Sequence, residues 1–394
     1  MNTITKKKNE EKKATSIKKK FTDFFNTDSV LFRAPGRINL LGEHTDYNDG
    51  FVLPASIDKE IVFAISKNGT NSTCNLYAFD LSESFSFDIN NMSPNKMGWP
   101  NYIMGVVAEI YKNNKTISGF NLVFGGDIPQ GAGLSSSAAL ESGMATALNE
   151  IYSLGFSKIE LVKMAQMAEH NYAGVKCGIM DQFASVMGKA NSAFQLDCRT
   201  LEYSYFPLEL EDYQIILLDT KVKHELASTE YNTRRLECEE GVELIKQTHP
   251  KIINLRDVSL GLMHSYKDEM KHIIYNRCSY VVEENHRVVE ATKALLNKDI
   301  KRVGELMYKT HEGLSEKYKV SCAELDFLVE QTKDLNYVAG ARMMGGGFGG
   351  CTINLVKRNS IREFKMIMLN NYKIKFGIEA EAYDIEITDG CGNF

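Results

Sequence analysis

Proline and tryptophan are scarce in this chain of 394 residues, which holds seven of the first and one of the second. With so few prolines, no stiff linker announces a domain boundary. Long apolar runs are missing too. No stretch approaches the roughly 18 consecutive apolar residues that a membrane-spanning helix needs, and runs such as Ile215–Leu218 are strand-sized. The eight cysteines (74, 177, 198, 238, 278, 322, 351 and 391) include no Cys-x-x-Cys pair and no histidine spaced for zinc. That scatter suits reduced thiols in a cytoplasmic protein and excludes a disulfide framework.

An excess of positive charge is also lacking. The formal charge of −5 argues against a general affinity for nucleic acid. The exception is the N-terminus, with Lys6–Lys8, Lys12–Lys13 and Lys18–Lys20. Glu10 and Glu11 interrupt this run and no apolar segment follows it, so it is not a secretory signal. Residues 1–20 read as a disordered, solvated tail, dispensable for activity.

What the chain does have is ordinary globular material, 43% hydrophobic and 25% charged. At roughly 150 residues per domain, its length predicts two or three domains. Short strands are predicted at 30–33, 60–66, 75–79, 120–124, 213–219, 351–356 and 382–387. Leu140, Met144, Leu148 and Ile151 repeat at helical spacing. A second helix is predicted over 158–170, a third from Asp181, and helices dominate from 229 to 334 with a break at Pro250. Strands and helices mix without regular alternation, which predicts an α+β fold. The boundary is placed between an N-terminal domain, 21–205, and a C-terminal domain, 206–394.

Four segments carry chemistry. The loop 125–139 follows a strand and opens a helix, where backbone N–H groups and the helix dipole attract an anion. Gly131 and Gly133 permit a tight turn and close approach, and Ser135, Ser136 and Ser137 add hydroxyls. A Walker A motif is absent, because no Gly-Lys-Ser/Thr follows. A dinucleotide fingerprint is incomplete, because Ser136 stands at its third glycine. By itself the loop is equally a serine-capped turn.

The segment 33–48 is dense in groups that bind sugars and phosphates, with Arg37, Glu43, His44 and Asp46 within ten residues. Leu40 and Leu41 among these charges argue against a purely solvated turn. Further on, Glu169 ends a helix and Asp181 begins one. They suit the two carboxylate tasks of phosphoryl transfer, one toward Mg²⁺ and one toward the acceptor. A helix start attracts negative charge, which fits Asp181 for a positioning and electrostatic role. Finally, 345–350 places five glycines in six positions, a sign that a loop or ligand approaches the bare backbone.

Three motifs in this order resemble the galactokinases, within the superfamily that also holds homoserine, mevalonate and phosphomevalonate kinases. They are Gly-Arg-Ile-Asn-Leu-Leu-Gly-Glu-His-Thr-Asp-Tyr (36–47), Pro-Gln-Gly-Ala-Gly-Leu-Ser-Ser-Ser-Ala (129–138) and Gly-Gly-Gly-Phe-Gly-Gly (345–350). Cys-Gly-Ile-Met-Asp-Gln (177–182) and Tyr-Asn-Thr-Arg-Arg (231–235) agree. The resemblance runs from about residue 30 to 390.

It implies a two-domain kinase with the active site between the domains, acting as a monomer on galactose and ATP with Mg²⁺. Galactose would be held by Glu43, His44, Thr45, Asp46, Gly178, Asp181 and Tyr231. The ATP phosphates would lie in the loop of Gly131, Ala132, Gly133, Leu134, Ser135, Ser136 and Ser137, with Trp99 near the adenine. Ser137 and Glu169 would serve Mg²⁺. Asp181 would orient or deprotonate the C1 hydroxyl, with Arg37 beside it. Met104 and Ala78 depart from the family pattern near the nucleotide. Thr45, where N-acetylgalactosamine kinases tend to carry isoleucine, favours plain galactose. The complete serine loop disfavours a sugar sensor that has lost catalysis, and an oxidoreductase would leave two motifs unexplained.

Overall fold

The computed structural model describes residues 3–223 and 227–394. It contains one six-stranded, one four-stranded and one three-stranded sheet. In the six-stranded sheet the spatial order is Gly392–Asn393, Val30–Asn39, Pro54–Lys67, Phe120–Gly126, Thr73–Ala78 and Glu83–Asp88. Its pairs are antiparallel except Thr73–Ala78 with Phe120–Gly126. The four-stranded sheet orders Val338–Met343, Gly349–Lys357, Tyr213–Lys223 and Glu381–Asp384. The fold is α+β, as the irregular mixture of elements implies.

Residues 61–65 are apolar at every position, because their strand is covered on both sides. Ile61, Phe63 and Ile65 join the large core that holds Leu140, Met144 and Leu148 of helix Ser136–Tyr152. Gly143 allows this packing: a Cβ there would stand 2.3 Å from the Phe63 ring. Val62 and Ala64 point the other way, to Ala14, Ile17 and Phe21.

Those last contacts correct the expectation of a disordered tail. Residues Thr3–Phe25 form a helix, and Ala14, Ile17 and Phe21, spaced by three and four, lay one stripe on the sheet. The lysines occupy the rest of the helix, and their density hid the stripe.

The boundary at 205/206 also needs correction. It cuts the strand Tyr203–Pro207, which pairs with Ser192–Asp197. The end of the chain leaves the C-terminal half, since Phe32 and Arg33 pair with Asn393 and Gly392. The Glu386 amide donates to Asp58 Oδ1 at 2.9 Å and the Cys391 amide to the Ser185 carbonyl at 2.8 Å. One apolar core runs through both halves, including Phe63, Val288, Met307 and Ile353.

Candidate active site

Two adjoining cavities lie beside the glycine-serine loop. A cleft of about 350 Å³ is walled by Trp99, Phe124, Ile128 and Leu140, with Gly131, Ser136 and Ser137 along one side. A smaller polar pocket of about 50 Å³ is bordered by Arg37, Glu43, His44, Asp46, Gly178, Asp181 and Tyr231, and by Gly345 and Gly346. Residues from both halves of the chain close the second one.

Local structure aims each group. The pairing of Val30–Asn39 with Pro54–Lys67 shifts register between Pro35 and Arg37, a bulge of the kind that re-aims a side chain. Gly36 sits at the bulge, where a Cβ would stand 2.7 Å from the Leu134 carbonyl oxygen. The Arg37 amide donates to that carbonyl at 3.2 Å. Its guanidinium meets Asp181 with two bonds, Nε to Oδ1 at 2.7 Å and Nη2 to Oδ2 at 3.1 Å. Burial opposes the charge on Arg37, and Asp181 outweighs it, raising the guanidinium above its ordinary value. Asp181 stands in the first turn of helix Met180–Met187.

Ser135 begins helix Ser136–Tyr152 at φ +59 and makes no side-chain cap. Its hydroxyl donates instead to Asp181 Oδ2 at 2.5 Å. The helix start is thus left open toward the cleft. Ala132 and Leu134 are buried, so they contribute backbone rather than side chain. A Cβ on Gly133 would lie 3.3 Å from the Met344 carbonyl oxygen, so the two glycine-rich segments pack on each other.

Glu43 borders the pocket with its carboxylate already engaged. It accepts from Asn39 Nδ2 at 2.8 Å, Arg342 Nη2 at 3.0 Å and the Gly345 amide at 2.8 Å. Thr45 does not reach the pocket: its hydroxyl donates to the Gly42 and Phe51 carbonyls at 2.8 and 2.6 Å. Its assignment as a sugar contact is corrected on that ground, because a threonine hydroxyl has one proton and both acceptors lie inside the turn. Gly178 presses on Asp46, where a Cβ would sit 1.8 Å from Oδ2. Burial, then the Asp181 charge, pushes the Asp46 carboxyl up to about 7. His44 is pushed down to about 4 by burial.

Helix Lys158–Ala168 is opened by a capping box of Ser157 and Glu160 and passes into a wider turn at Glu169–Ala173. Such insertions often mark functional sites. Glu169 is buried there and accepts from Gln182 Nε2 at 2.7 Å and from Cys177 Sγ at 3.4 Å. Burial, then Asp181, raises its carboxyl.

Trp99 lines the cleft and donates Nε1–H to Glu83 Oε2 at 2.7 Å. Ala78 also lines it, whereas Met104 is buried in the core. The sequence reading missed Cys177 and Met180 at the small polar pocket and Asp80 and Tyr102 at the cleft. It also missed Arg342, whose only signal was an arginine in an otherwise apolar strand.

Comparison with known proteins matches this geometry. The family description "GHMP kinases N terminal domain" fits residues 101–189, and "GHMP kinases C terminal" fits 291–373. Together with the open helix start and the cleft, these define a small-molecule kinase of the GHMP class. The galactokinase galactose-binding signature matches residues 19–67. The galactokinase of Thermosipho africanus is 42% identical over 358 residues, 91% of this chain and 98% of its own. That of Clostridium tetani is 39% identical, covering 95% and 96%. The chain belongs to the galactokinase family. A Lactococcus lactis galactokinase solved with galactose superposes at a TM-score of 0.92 with 34% identity, covering 96% and 99%. Mevalonate kinase of Methanococcus jannaschii, at 0.66 and 20% with 92% and 99% covered, shares the fold.

Proposed function

We propose that this protein transfers the γ-phosphoryl group of ATP to the C1 hydroxyl of D-galactose, giving galactose 1-phosphate and ADP. The observation that carries the reading is the Arg37–Asp181 pair, which lines a small polar pocket, together with a larger cleft bordered by a phosphate-type loop. This is the first committed step of galactose catabolism.

The apolar walls at Trp99 and Phe124 take the adenine, and the bare backbone of 131–137 takes the phosphates. Asp46 and His44 give the sugar hydroxyls an acceptor and a ring edge. Asp181 orients the C1 hydroxyl as it attacks, either accepting its proton or holding it in line. A loose transition state leaves charge on the phosphoryl oxygens, and Arg37, fixed by three hydrogen bonds, is placed to neutralise it.

The donors at Ser137 and Glu169 fit Mg²⁺, a hard cation that prefers oxygen. No cluster of three or more His, Cys, Asp or Glu able to hold a metal occurs among the described residues. That suits an ion sharing its shell with water and phosphate rather than sitting in a protein cage. Ser137 and Glu169 would hold the ion, which would supply positive charge to offset that of the phosphates. We further infer a cytoplasmic monomer. The eight cysteines are unpaired, and no described helix is long and apolar enough to cross a membrane.

The test is ADP release with Mg²⁺-ATP across galactose, galactosamine, N-acetylgalactosamine, glucose and arabinose. Turnover confined to galactose and close analogues is expected. Galactose binding without ADP release would favour a sensor, and neither binding nor release would reassign the pocket.

A further inference from the structure

His44 is buried at the sugar pocket and held at φ +62, a left-handed conformation uncommon for any residue but glycine. Each ring nitrogen meets a different part of the chain. Nε2 lies 3.2 Å from the Gly346 carbonyl oxygen, and Nδ1 lies 2.7 Å from the Tyr47 hydroxyl. The Tyr47 hydroxyl lies 2.9 Å from that of Tyr318, which in turn lies 3.3 Å from Cys238 Sγ. Tyr318 and Cys238 are fully buried, and neither they nor Tyr47 borders the pocket.

The direction of every proton follows from one end. A carbonyl only accepts, so Nε2 carries the hydrogen. A neutral imidazole has one N–H, so Nδ1 offers a lone pair and Tyr47 must donate to it. With its proton spent, the Tyr47 oxygen accepts from Tyr318, and the Tyr318 oxygen accepts from the Cys238 thiol. Burial, by disfavouring the charged ring, supports the neutral form.

Gly346 sits between Gly345 at φ +83, whose amide donates to Glu43, and Gly347 at φ +86, packed against the Val320 carbonyl. In the alternative Nδ1–H tautomer, the Nε2 lone pair would face the Gly346 carbonyl and repel it. We propose that the Tyr318–Tyr47 hydroxyl pair is a positioning device for the sugar: by donating to Nδ1 it holds the His44 ring in place, and the Nε2–H of that ring seats Gly346 against the pocket. This rests on the reading that the pocket takes galactose.

The test is long-range ¹H–¹⁵N NMR of the full chain labelled with ¹⁵N-histidine, using His44→Gln to assign the signal, beside steady-state kinetics. Wild type should show a neutral Nε2–H ring between pH 6 and 8. Tyr47→Phe should keep the Nε2–H ring but shift the Nδ1 resonance, whose hydrogen bond is lost, and raise the galactose KM about tenfold, with kcat and the ATP KM within about twofold. Tyr318→Phe, one hydroxyl further away, should raise it about threefold. An Nδ1–H ring in wild type would overturn the proposal, and that readout needs neither variant to fold. So would a Tyr47→Phe protein that keeps the wild-type galactose KM. An equal rise in both KM values with a lower melting temperature would mean lost packing and would also overturn it. Absence of turnover in wild type would sink the functional reading alone, since the His44 spectra decide the tautomer independently.

Discussion

Arg37 and Asp181, 144 residues apart in the chain, meet through two hydrogen bonds of 2.7 and 3.1 Å. One comes from a bulged strand and the other from the first turn of a helix, so each holds the other in place at the polar pocket.

Replacing either should therefore remove catalysis more than folding. Asp181→Asn keeps the shape of the side chain and should lower kcat by about 10²-fold or more. Arg37→Ala should do the same. Initial rates, with circular dichroism as the folding control, check this; near-normal kcat in either variant would remove the roles assigned here.

The raised carboxyl of Asp46 predicts a pH dependence with a definite sign. Its folded value, about 7, exceeds the ordinary 3.8, so in the free protein it takes up a proton on folding. Its contribution to stability is present below about pH 4 and declines as the pH rises toward 7. Sugar capture should run the other way, because the carboxylate is the better acceptor. The kcat/KM for galactose should climb with an apparent pKa near 7, and Asp46→Asn should flatten that limb of the profile.

Gly178 has no room for a side chain. A Cβ would stand 1.8 Å from Asp46 Oδ2, so Gly178→Ala must displace the carboxylate. Kinetics with each substrate varied in turn should show kcat/KM for galactose falling about 10²-fold, while the ATP KM stays near wild type.

Gln182 orients Glu169 from behind through the 2.7 Å bond. With Glu169 serving Mg²⁺ as proposed, Gln182→Ala should raise the Mg²⁺ concentration for half-maximal rate by about 10- to 100-fold, the usual effect of losing an outer partner of a metal ligand. A Mg²⁺ titration at saturating galactose measures it.

The N-terminal helix is part of the fold. Phe21 is fully buried against the sheet, so Phe21→Ala should cost about 3–5 kcal/mol, read from urea unfolding. Truncation before Phe21 should also destabilise, since it uncovers Val62, Ala64 and Val123.

Much of this was legible in the sequence wherever function resides in contiguous segments. The glycine-serine loop, the strand before it and the helix after it lie where composition and periodicity place them. The acidic stretch at 43–46 does border a pocket, but its local spacing could not separate Asp46, which faces the cavity, from Thr45, which turns inward. That difference arises in a tight turn, where successive side chains follow no simple period. Glu43 shows the same limit, because two of its partners, Arg342 and Gly345, lie about 300 residues away. The N-terminal helix had a signal that was not used. Residues 61–65 lack the alternation of a strand with one solvated face, so something had to cover Val62 and Ala64. The strand Tyr203–Pro207 was hidden for the opposite reason: it lies partly exposed in a small sheet and carries no apolar run.

The most direct test of the central claim is to incubate the protein with Mg²⁺-ATP and galactose labelled with ¹³C at C1, and to follow ³¹P and ¹³C NMR together. The account predicts one phosphomonoester signal coupled to the labelled carbon, growing one for one with ADP and slowed about 10²-fold or more in Asp181→Asn. A phosphate on another carbon, or ATP consumed while galactose stays unchanged, would contradict it.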